Sequence, residues 1–304
     1  MIIRIDNELK HEEVYANGNE LASIMGKDRV EGKRVYKYPT DKEEFAYRFD
    51  NPVLLTNSHQ ISMLPPTLRE TLLALFASRP RIVEYDGVSI TWDSKHNTVW
   101  CPSIDTILFA KTLREIFKNR TDFKLAIEIG CGSGYLSKYI LSKLSGLEHM
   151  IINDINPDAI GCAQDNINDS RAGYYTGDGF KKLDEQKYDL VISNPPYIPR
   201  PGEIADNPYE GIGLLKYMLE NTSKFLNPKG LLVTNISNLS WDLVIDEKIK
   251  SKVKILNRLE VPLKVNNVLN NPQWIEYLKS VGLKCGMRDG YEYWQEIYIA
   301  AIEN

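Results

Sequence analysis

Long apolar runs are missing from this chain of 304 residues, and so is any cationic leader followed by an apolar stretch. Their absence removes the usual signs of a membrane span or a secretory signal, so a cytoplasmic protein with no membrane partner is expected. Cysteine and histidine are scarce. The four cysteines (Cys101, Cys131, Cys162, Cys285) include no CxxC pair, and the four histidines (His11, His59, His96, His149) cluster neither with them nor with one another. No metal site is therefore expected. An excess of positive charge is missing too: the net charge is −4 and the pI near 5.7. Such a balance does not suit a protein that gains its affinity by neutralising many phosphates, although it leaves a local basic patch open. Nucleic acid is disfavoured as a partner on that ground. Internal repeats and low-complexity tracts are absent as well.

What is present is an ordinary globular composition, 43% hydrophobic and 26% charged. The length favours one large α/β domain carrying an appended module. The first eighty residues mix both charge signs and show little sustained periodicity. Near their end, Thr67 and Glu70 have capping-box spacing ahead of an apolar stretch, which predicts a short helix from Leu68. Arg81–Tyr85 and Ser89–Trp92 flank Asp86-Gly87, a strong two-residue hairpin signal, and Asn97–Trp100 reads as a third strand. The chain is thus expected to divide into a recognition module at 1–80, a β connector at 81–100 and a main domain at 101–304. Beyond Cys101, apolar strands and helical segments alternate with short loops, the pattern of a mainly parallel sheet covered on both faces. Strands are predicted at Leu125–Ile129, His149–Asn153, Gly173–Tyr175, Tyr188–Ser193, Gly230–Asn235 and Glu296–Ala301. Helices are predicted at Tyr135–Leu144, Pro157–Asn168, Ile212–Phe225 and Pro272–Val281. The Trp241–Asn271 segment is longer than a crossover needs and reads as a lid. Trp274, Tyr291, Tyr293 and Trp294 read as core packing rather than a base-stacking surface, and the charge runs Asp41–Glu44 and Glu247–Lys254 as solvated faces.

Two motifs carry chemistry. In Glu128-x-Gly130-x-Gly132-x-Gly134, directly after an apolar strand, the glycines let the backbone turn tightly toward a ligand, and the next helix aims unpaired N–H groups at it. Asp154 closes the next strand about twenty residues on, where an acidic side chain binds ribose hydroxyls. Each feature taken singly has a plainer reading: the glycine loop as a structural turn, Asp154 as a cap for the helix beginning at Pro157, Gly177-Asp178-Gly179-Phe180 as a turn. Their occurrence in this order favours a nucleotide-like ligand. The second motif is Asn194-Pro195-Pro196-Tyr197, at the end of the apolar run 188–193. Two prolines fix successive φ angles and remove two donors, so the backbone carbonyls and the Asn194 side chain form an acceptor-rich edge suited to a flat –NH2 group.

From Pro102 to its C-terminus the chain resembles the class I S-adenosylmethionine-dependent methyltransferases. Asn194-Pro195-Pro196-Tyr197 is similar to the NPPY signature of members that methylate glutamine amides and exocyclic base amines. The resemblance implies a Rossmann-like, mainly parallel seven-stranded sheet with helices on both faces and S-adenosylmethionine as cofactor. It implies that Glu128, Gly130, Gly132 and Gly134 hold the methionine part, Asp154 the ribose and Asp178 the adenine amine, with Phe180 near the adenine ring. Val99–Thr106 resembles the segment preceding the first strand in HemK-type glutamine methyltransferases of translation release factors. Pro102, Asp105 and Thr106 thereby join Asn194 and Tyr197 as expected substrate contacts. Tyr209–Leu215 is similar to that family's glycine-containing loop before a helix. The acceptor is then a protein glutamine amide. An RNA or DNA base amine extruded into the same corner is the alternative, and a noncatalytic cofactor-binding scaffold a third reading.

One expectation follows for Asp154. Two charge-assisted hydrogen bonds to ribose contribute roughly 1.5–3 kcal/mol each before solvent competition. Asp154→Ala is expected to weaken S-adenosylmethionine binding in calorimetry far more than Asp158→Ala, and equal losses would remove Asp154 from the ribose site.

Overall fold

The computed structural model describes residues 3–6, 13–16, 34–38, 81–92, 96, 98–202, 210–263, 265–269, 271–288 and 291–304. The helix expected from Leu68 and the Asp41–Glu44 run lie outside them. In chain order the elements are β1 (Ile3–Asp6), β2 (Glu13–Ala16), β3 (Arg34–Tyr38), β4 (Arg81–Tyr85), β5 (Val88–Trp92), α1 (Ile104–Phe117), β6 (Leu125–Ile129), α2 (Tyr135–Lys143), β7 (His149–Asp154), α3 (Pro157–Asn166), β8 (Ala172–Thr176), α4 (Gly179–Asp184) and β9 (Tyr188–Ser193). They continue with α5 (Gly213–Glu220), α6 (Thr222–Phe225), β10 (Leu226–Ser237), α7 (Trp241–Val244), α8 (Glu247–Lys250), β11 (Lys254–Pro262), α9 (Asn266–Leu269), α10 (Pro272–Ser280), β12 (Lys284–Arg288) and β13 (Tyr291–Glu303). None of the described helices is long and apolar enough to cross a membrane.

The chain divides into two compact units, one of residues 1–97, 261–276 and 284–294, the other of 98–260, 277–283 and 295–304. In the first, β1 pairs antiparallel with β2, and β3, β4 and β5 form a separate three-stranded sheet. The predicted hairpin is there: Tyr85 faces Val88 across Asp86 and Gly87, both at positive φ (52° and 76°), as a two-residue type I′ turn requires. Thr98–Trp100, expected to extend a third strand, form a turn and bend instead. Trp274 and Trp294 are buried, as their apolar context implied.

The second unit is built on a sheet ordered β11-β13-β10-β9-β6-β7-β8, in which β10, β9, β6, β7 and β8 are parallel neighbours and β13 runs antiparallel to β10. An eighth strand, β12, pairs antiparallel with the beginning of β13 within residues 284–294 of the first unit, one more than the seven expected. Chain order runs outward from β6 through β7 to β8 on one side, then returns to β9 and runs outward through β10 on the other. Right-handed crossovers in opposite directions place their helices on opposite faces. On one face Ile127, Val191, Leu232 and Ile236 of the strands pack with Leu215, Met218 and Phe225 of α5 and α6. β6 and β9 are buried on both sides, which accounts for their unbroken apolar runs.

The predicted helix 212–225 is two helices, α5 and α6, broken at Asn221, whose side chain donates to Tyr217 O (2.9 Å) in place of a continuing turn. The segment read as a lid is corrected more fundamentally. It contains β11, an edge strand of the main sheet, whose first residues are exposed on both faces (Ile255 47%, Leu256 42%) and so show no strand-like apolar alternation.

Gly134 begins α2 at φ 78°, and a Cβ there would stand 2.8 Å from Ala163 Cβ and 2.9 Å from Ala163 Cα of α3. Left-handed strain and backbone overlap together are expected to make Gly134→Ala cost about 1–3 kcal/mol. Gly132→Ala, whose Cβ would meet nothing within 4 Å, costs only the strain. Urea unfolding of the two variants, with equal m-values, checks the difference.

Candidate active site

The site begins where β6 ends. Gly130, Gly132 and Gly134 all adopt positive φ (72°, 52°, 78°), and the loop leans onto β7 through Cys131 N to Asn153 O (2.9 Å). Glu128, 2% exposed, points into the start of α2, where its Oε2 accepts from Ser137 N (2.9 Å) and from the Ser137 hydroxyl. Burial pushes its carboxyl up to about 8; the Ser137 hydrogen bonds oppose that shift, and the neighbouring Asp154 adds to it. Asp154 closes β7. Its Oδ2 accepts from Gly132 N and its Oδ1 from Asn156 N, each at 2.9 Å, so its carboxylate bridges the glycine loop and the following turn. The cap of α3 is Asn156, which accepts from Asp158 N (3.0 Å), and not Asp154. Burial raises the Asp154 carboxyl against those backbone bonds.

Asp178, read in the sequence as part of a turn, caps α4 by accepting from Phe180 N (2.9 Å). The Phe180 ring lies edge-on to Tyr217 of α5, centroids 4.7 Å apart, and Tyr217 donates to Asp184 (2.6 Å), which pushes its phenol up to about 12. The turn is aligned by Asn153, fully buried, whose Nδ2 donates to Tyr175 O (3.1 Å) and Gly177 O (2.9 Å).

The proline corner starts one strand away. β6 and β9 are paired in parallel with Glu128 opposite Ile192, and the Ser193 hydroxyl donates to Ile129 O (2.7 Å) where both strands end. The glycine loop and the corner therefore leave from adjacent points. Pro195 is buried and Pro196 exposed. Asn194 Nδ2 donates to Asp105 Oδ2 (3.1 Å) and Thr106 Oγ1 (3.4 Å), and Tyr197 Oη donates to Asp105 Oδ2 (3.2 Å). Asp105 Oδ1 accepts from Thr106 N (2.8 Å) and the Ser103 hydroxyl. Burial, with the Asp105 carboxylate as neighbour and acceptor, lifts the Tyr197 phenol well above its ordinary range, so it remains a neutral donor. Asn235 of β10 donates from Nδ2 to Asn194 Oδ1.

Asp105, Thr106, Asn194 and Tyr197, picked out in the sequence from segments far apart, thus form one network, and Pro102 lies buried just before α1. The segment leading into α1 is also strapped to the turn after Asp154: Asn156 Nδ2 donates to Thr98 O (3.3 Å) and Oγ1 (3.2 Å), and Thr98 Oγ1 donates to Asp158 (2.7 Å). Sequence reasoning passed over Ser137, Asn153 and Asn235, whose parts depend on strand register and carry no local signal. Among the described residues no group of acidic, histidine and cysteine side chains is arranged to hold a metal.

The strand order, with β13 antiparallel to β10 and a glycine loop after β6, is that of a class I S-adenosylmethionine-dependent methyltransferase domain. The methyltransferase small domain family matches residues 103–258, just over half of the chain, and the chain belongs to that family. Release factor glutamine methyltransferase of Aquifex aeolicus (strain VF5) is 28% identical over 149 residues, 43% of this chain and 52% of that protein. A bifunctional methyltransferase of Rickettsia bellii (strain RML369-C) is 31% identical over 159 residues, 44% of this chain and 28% of that protein. The chain spans about half or less of the length of these curated relatives. The solved structure of ribosomal protein L11 methylase from Lactobacillus delbrueckii subsp. bulgaricus gives a TM-score of 0.40 at 13% identity, covering 74% of this chain and 86% of that one, a likeness that carries no argument.

S-adenosylmethionine is the cofactor the family implies, and the loop suits it. Two buried acidic side chains, Glu128 and Asp154, are both raised by burial, with Asp154 adding to the shift of Glu128, and they favour a cationic ligand rich in hydroxyl donors.

The Glu128 shift has a sign. Its folded carboxyl keeps a proton that the unfolded chain loses near 4.5, so folded protein binds more protons between about 4.5 and 8, and stability falls as pH rises through that window. Asp154 acts in the same direction. The carboxyls of Glu115, Asp122, Asp169 and Asp189 are lowered and already ionised in both states there. Thermal unfolding of the ligand-free protein is expected at lower temperature at pH 8 than at pH 5.5, and Glu128→Gln is expected to remove most of that slope. An unchanged slope would show that Glu128 is ionised throughout.

Proposed function

We propose that this protein transfers the methyl group of S-adenosylmethionine to a planar nitrogen, with a protein glutamine side-chain amide as the acceptor. The names of its relatives support a release factor as the partner, and the proposed setting is the cytoplasm. One observation carries the reading. The Asn194 amide is held by Asp105, Thr106 and Asn235 so that its nitrogen faces the carboxylate and its carbonyl faces the other way, at a strand end fastened to the start of the glycine loop. The net charge of −4 speaks against nucleic acid as the principal acceptor.

An amide nitrogen is a weak nucleophile because its lone pair is delocalised. When bound, S-adenosylmethionine supplies a methyl group already activated by its sulfonium, so the chain needs no covalent nucleophile. Asn194 Oδ1 and the Pro195 carbonyl would accept the N–H groups of the methyl acceptor and orient its nitrogen for transfer. Pro195 and Pro196 keep that corner rigid. Tyr197, tethered at its hydroxyl, presents its ring to the planar target. Glu128, Gly130, Gly132 and Gly134 hold the methionine part, Asp154 the ribose, and Asp178 and Phe180 the adenine end. Alignment of this kind supplies roughly 7–11 kcal/mol of barrier reduction. Residues 1–80 are assigned to recognising the acceptor, with 81–100 joining them to the methyltransferase domain at 101–304.

Incubation with labelled S-adenosylmethionine and a cell extract, followed by protease or nuclease treatment, tests the acceptor. Label lost to protease and recovered as N-methylglutamine is expected; label lost to nuclease would replace the protein with a base amine, and no label in any polymer would overturn the reading. Asn194→Ala is expected to lower turnover by about 10²–10³, as loss of one transition-state hydrogen bond does, with cofactor affinity little changed.

A further inference from the structure

Asn235 is fully buried in β10, between Thr234 and Ile236, and of the buried polar side chains there it alone carries an amide. β10 and β9 are parallel with Thr234 opposite Ser193, so Asn235 falls beside Asn194, one step beyond the last paired residues. Its amide nitrogen donates to Asn194 Oδ1, while its own Oδ1 is buried with no hydrogen-bond partner among the described residues.

The orphan oxygen is not a matter of choosing which amide atom is which. The Asp105 carboxylate also receives the Tyr197 hydroxyl and two donors from α1 and its cap, and it demands a donor from Asn194, which fixes nitrogen on that side. The Asn194 carbonyl is then turned toward Asn235 and demands a donor in turn. Asn235 must present its nitrogen, and its carbonyl is left over. A half-satisfied amide in a dry strand is a standing cost, since an unpaired buried carbonyl loses its water and gains nothing. Asn194 is partly exposed and water can serve its carbonyl, so the packing of the fold gives no reason for an asparagine at 235.

We infer that Asn235 is a positioning residue for methyl transfer. Its N–H locks the plane of the Asn194 amide against rotation, leaving the second lone pair of Asn194 Oδ1 aimed at the acceptor nitrogen. The inference rests on the proposed amide chemistry for its catalytic consequence, while the locking itself is independent of the acceptor.

Two substitutions separate these. Asn235→Leu removes the donor and the orphan carbonyl together. It is expected to leave the melting temperature unchanged or higher and S-adenosylmethionine affinity unchanged, to lower kcat by about ten- to a hundredfold with little change in KM, as a slight misplacement does, and to sharpen and shift the Asn194 side-chain amide signals in ¹H–¹⁵N spectra. Asn235→Asp can donate to Asn194 only as the neutral acid. Its turnover is expected to recover toward the parent level at low pH and to collapse as the buried carboxyl ionises, a limb absent from the parent profile. Asn194 amide signals and exchange rates unchanged in Asn235→Leu would overturn the inference whatever the acceptor proves to be. Normal turnover in Asn235→Leu, with Asn194→Ala inactive, would overturn it too. A parent enzyme that methylates no amide would instead overturn the proposed function, with the amide spectra still deciding the role of Asn235.

Discussion

The pairing of β6 with β9 is the constraint from which the rest of the site follows. These strands are neighbours in the sheet but far apart in the chain, and between them the chain order reverses. Crossovers on either side then carry their helices to opposite faces, which leaves a crevice at the carboxyl ends of the strands. The Ser193 hydroxyl closes the last open carbonyl of β6, Ile129 O, so the two strand ends cannot splay. What leaves those ends differs in kind. One is a glycine loop that meets a ligand with backbone donors and close approach. The other is a proline corner stripped of donors, which meets a ligand with acceptors. A donor-bearing group held at the second, with a cation at the first, is the combination such a crevice favours.

Three carboxylates around the crevice are treated in two ways. Glu128 and Asp154 are both buried, Asp154 adds to the shift of Glu128, and their hydrogen bonds, from Ser137 and from backbone amides, do not offset burial. That leaves the cofactor side short of positive charge until a cation arrives. Asp105 is instead surrounded by donors: Ser103, Thr106 N, Asn194 and Tyr197 all point at it. Its task is orientation. The strap from Thr98 to Asn156 and Asp158 joins the segment carrying Asp105 to the turn carrying Asp154, so neither half of the crevice is set independently of the other.

The parts legible in the sequence were those whose environment is uniform. β6 and β9 could be read to the residue because both faces of each are buried and the apolar run has no interruption. β11 was unreadable for the converse reason: most of this edge strand is solvated on both faces, so nothing imposes the alternation that marks a half-buried strand, and Lys254–Pro262 passed for a lid. The break at Asn221 was hidden by continuous helical periodicity on both sides of it. The glycine loop, Asp154 and the NPPY corner announced themselves because their backbone demands restrict residue type locally. Ser137, Asn153, Ser193 and Asn235 did not. Each acts through a partner brought near by strand register or a helix start, and nothing adjacent in the chain distinguishes such a residue from an ordinary polar one.

The same reasoning explains why the corner begins with an amide and not an acid. An aspartate at 194 would place its carboxylate at hydrogen-bond distance from Asp105, with no proton donor between them, and the pair would either repel or capture a proton. An alanine would leave Asp105 one donor short. Asparagine is the residue that offers two N–H groups to Asp105 and Thr106 on one side and a carbonyl on the other. The carbonyl can then face an acceptor nitrogen without any change of protonation. The charge of Asp105 thereby fixes the polarity of a neutral group that it never leaves, and Asn235 carries that polarity one step deeper into the sheet.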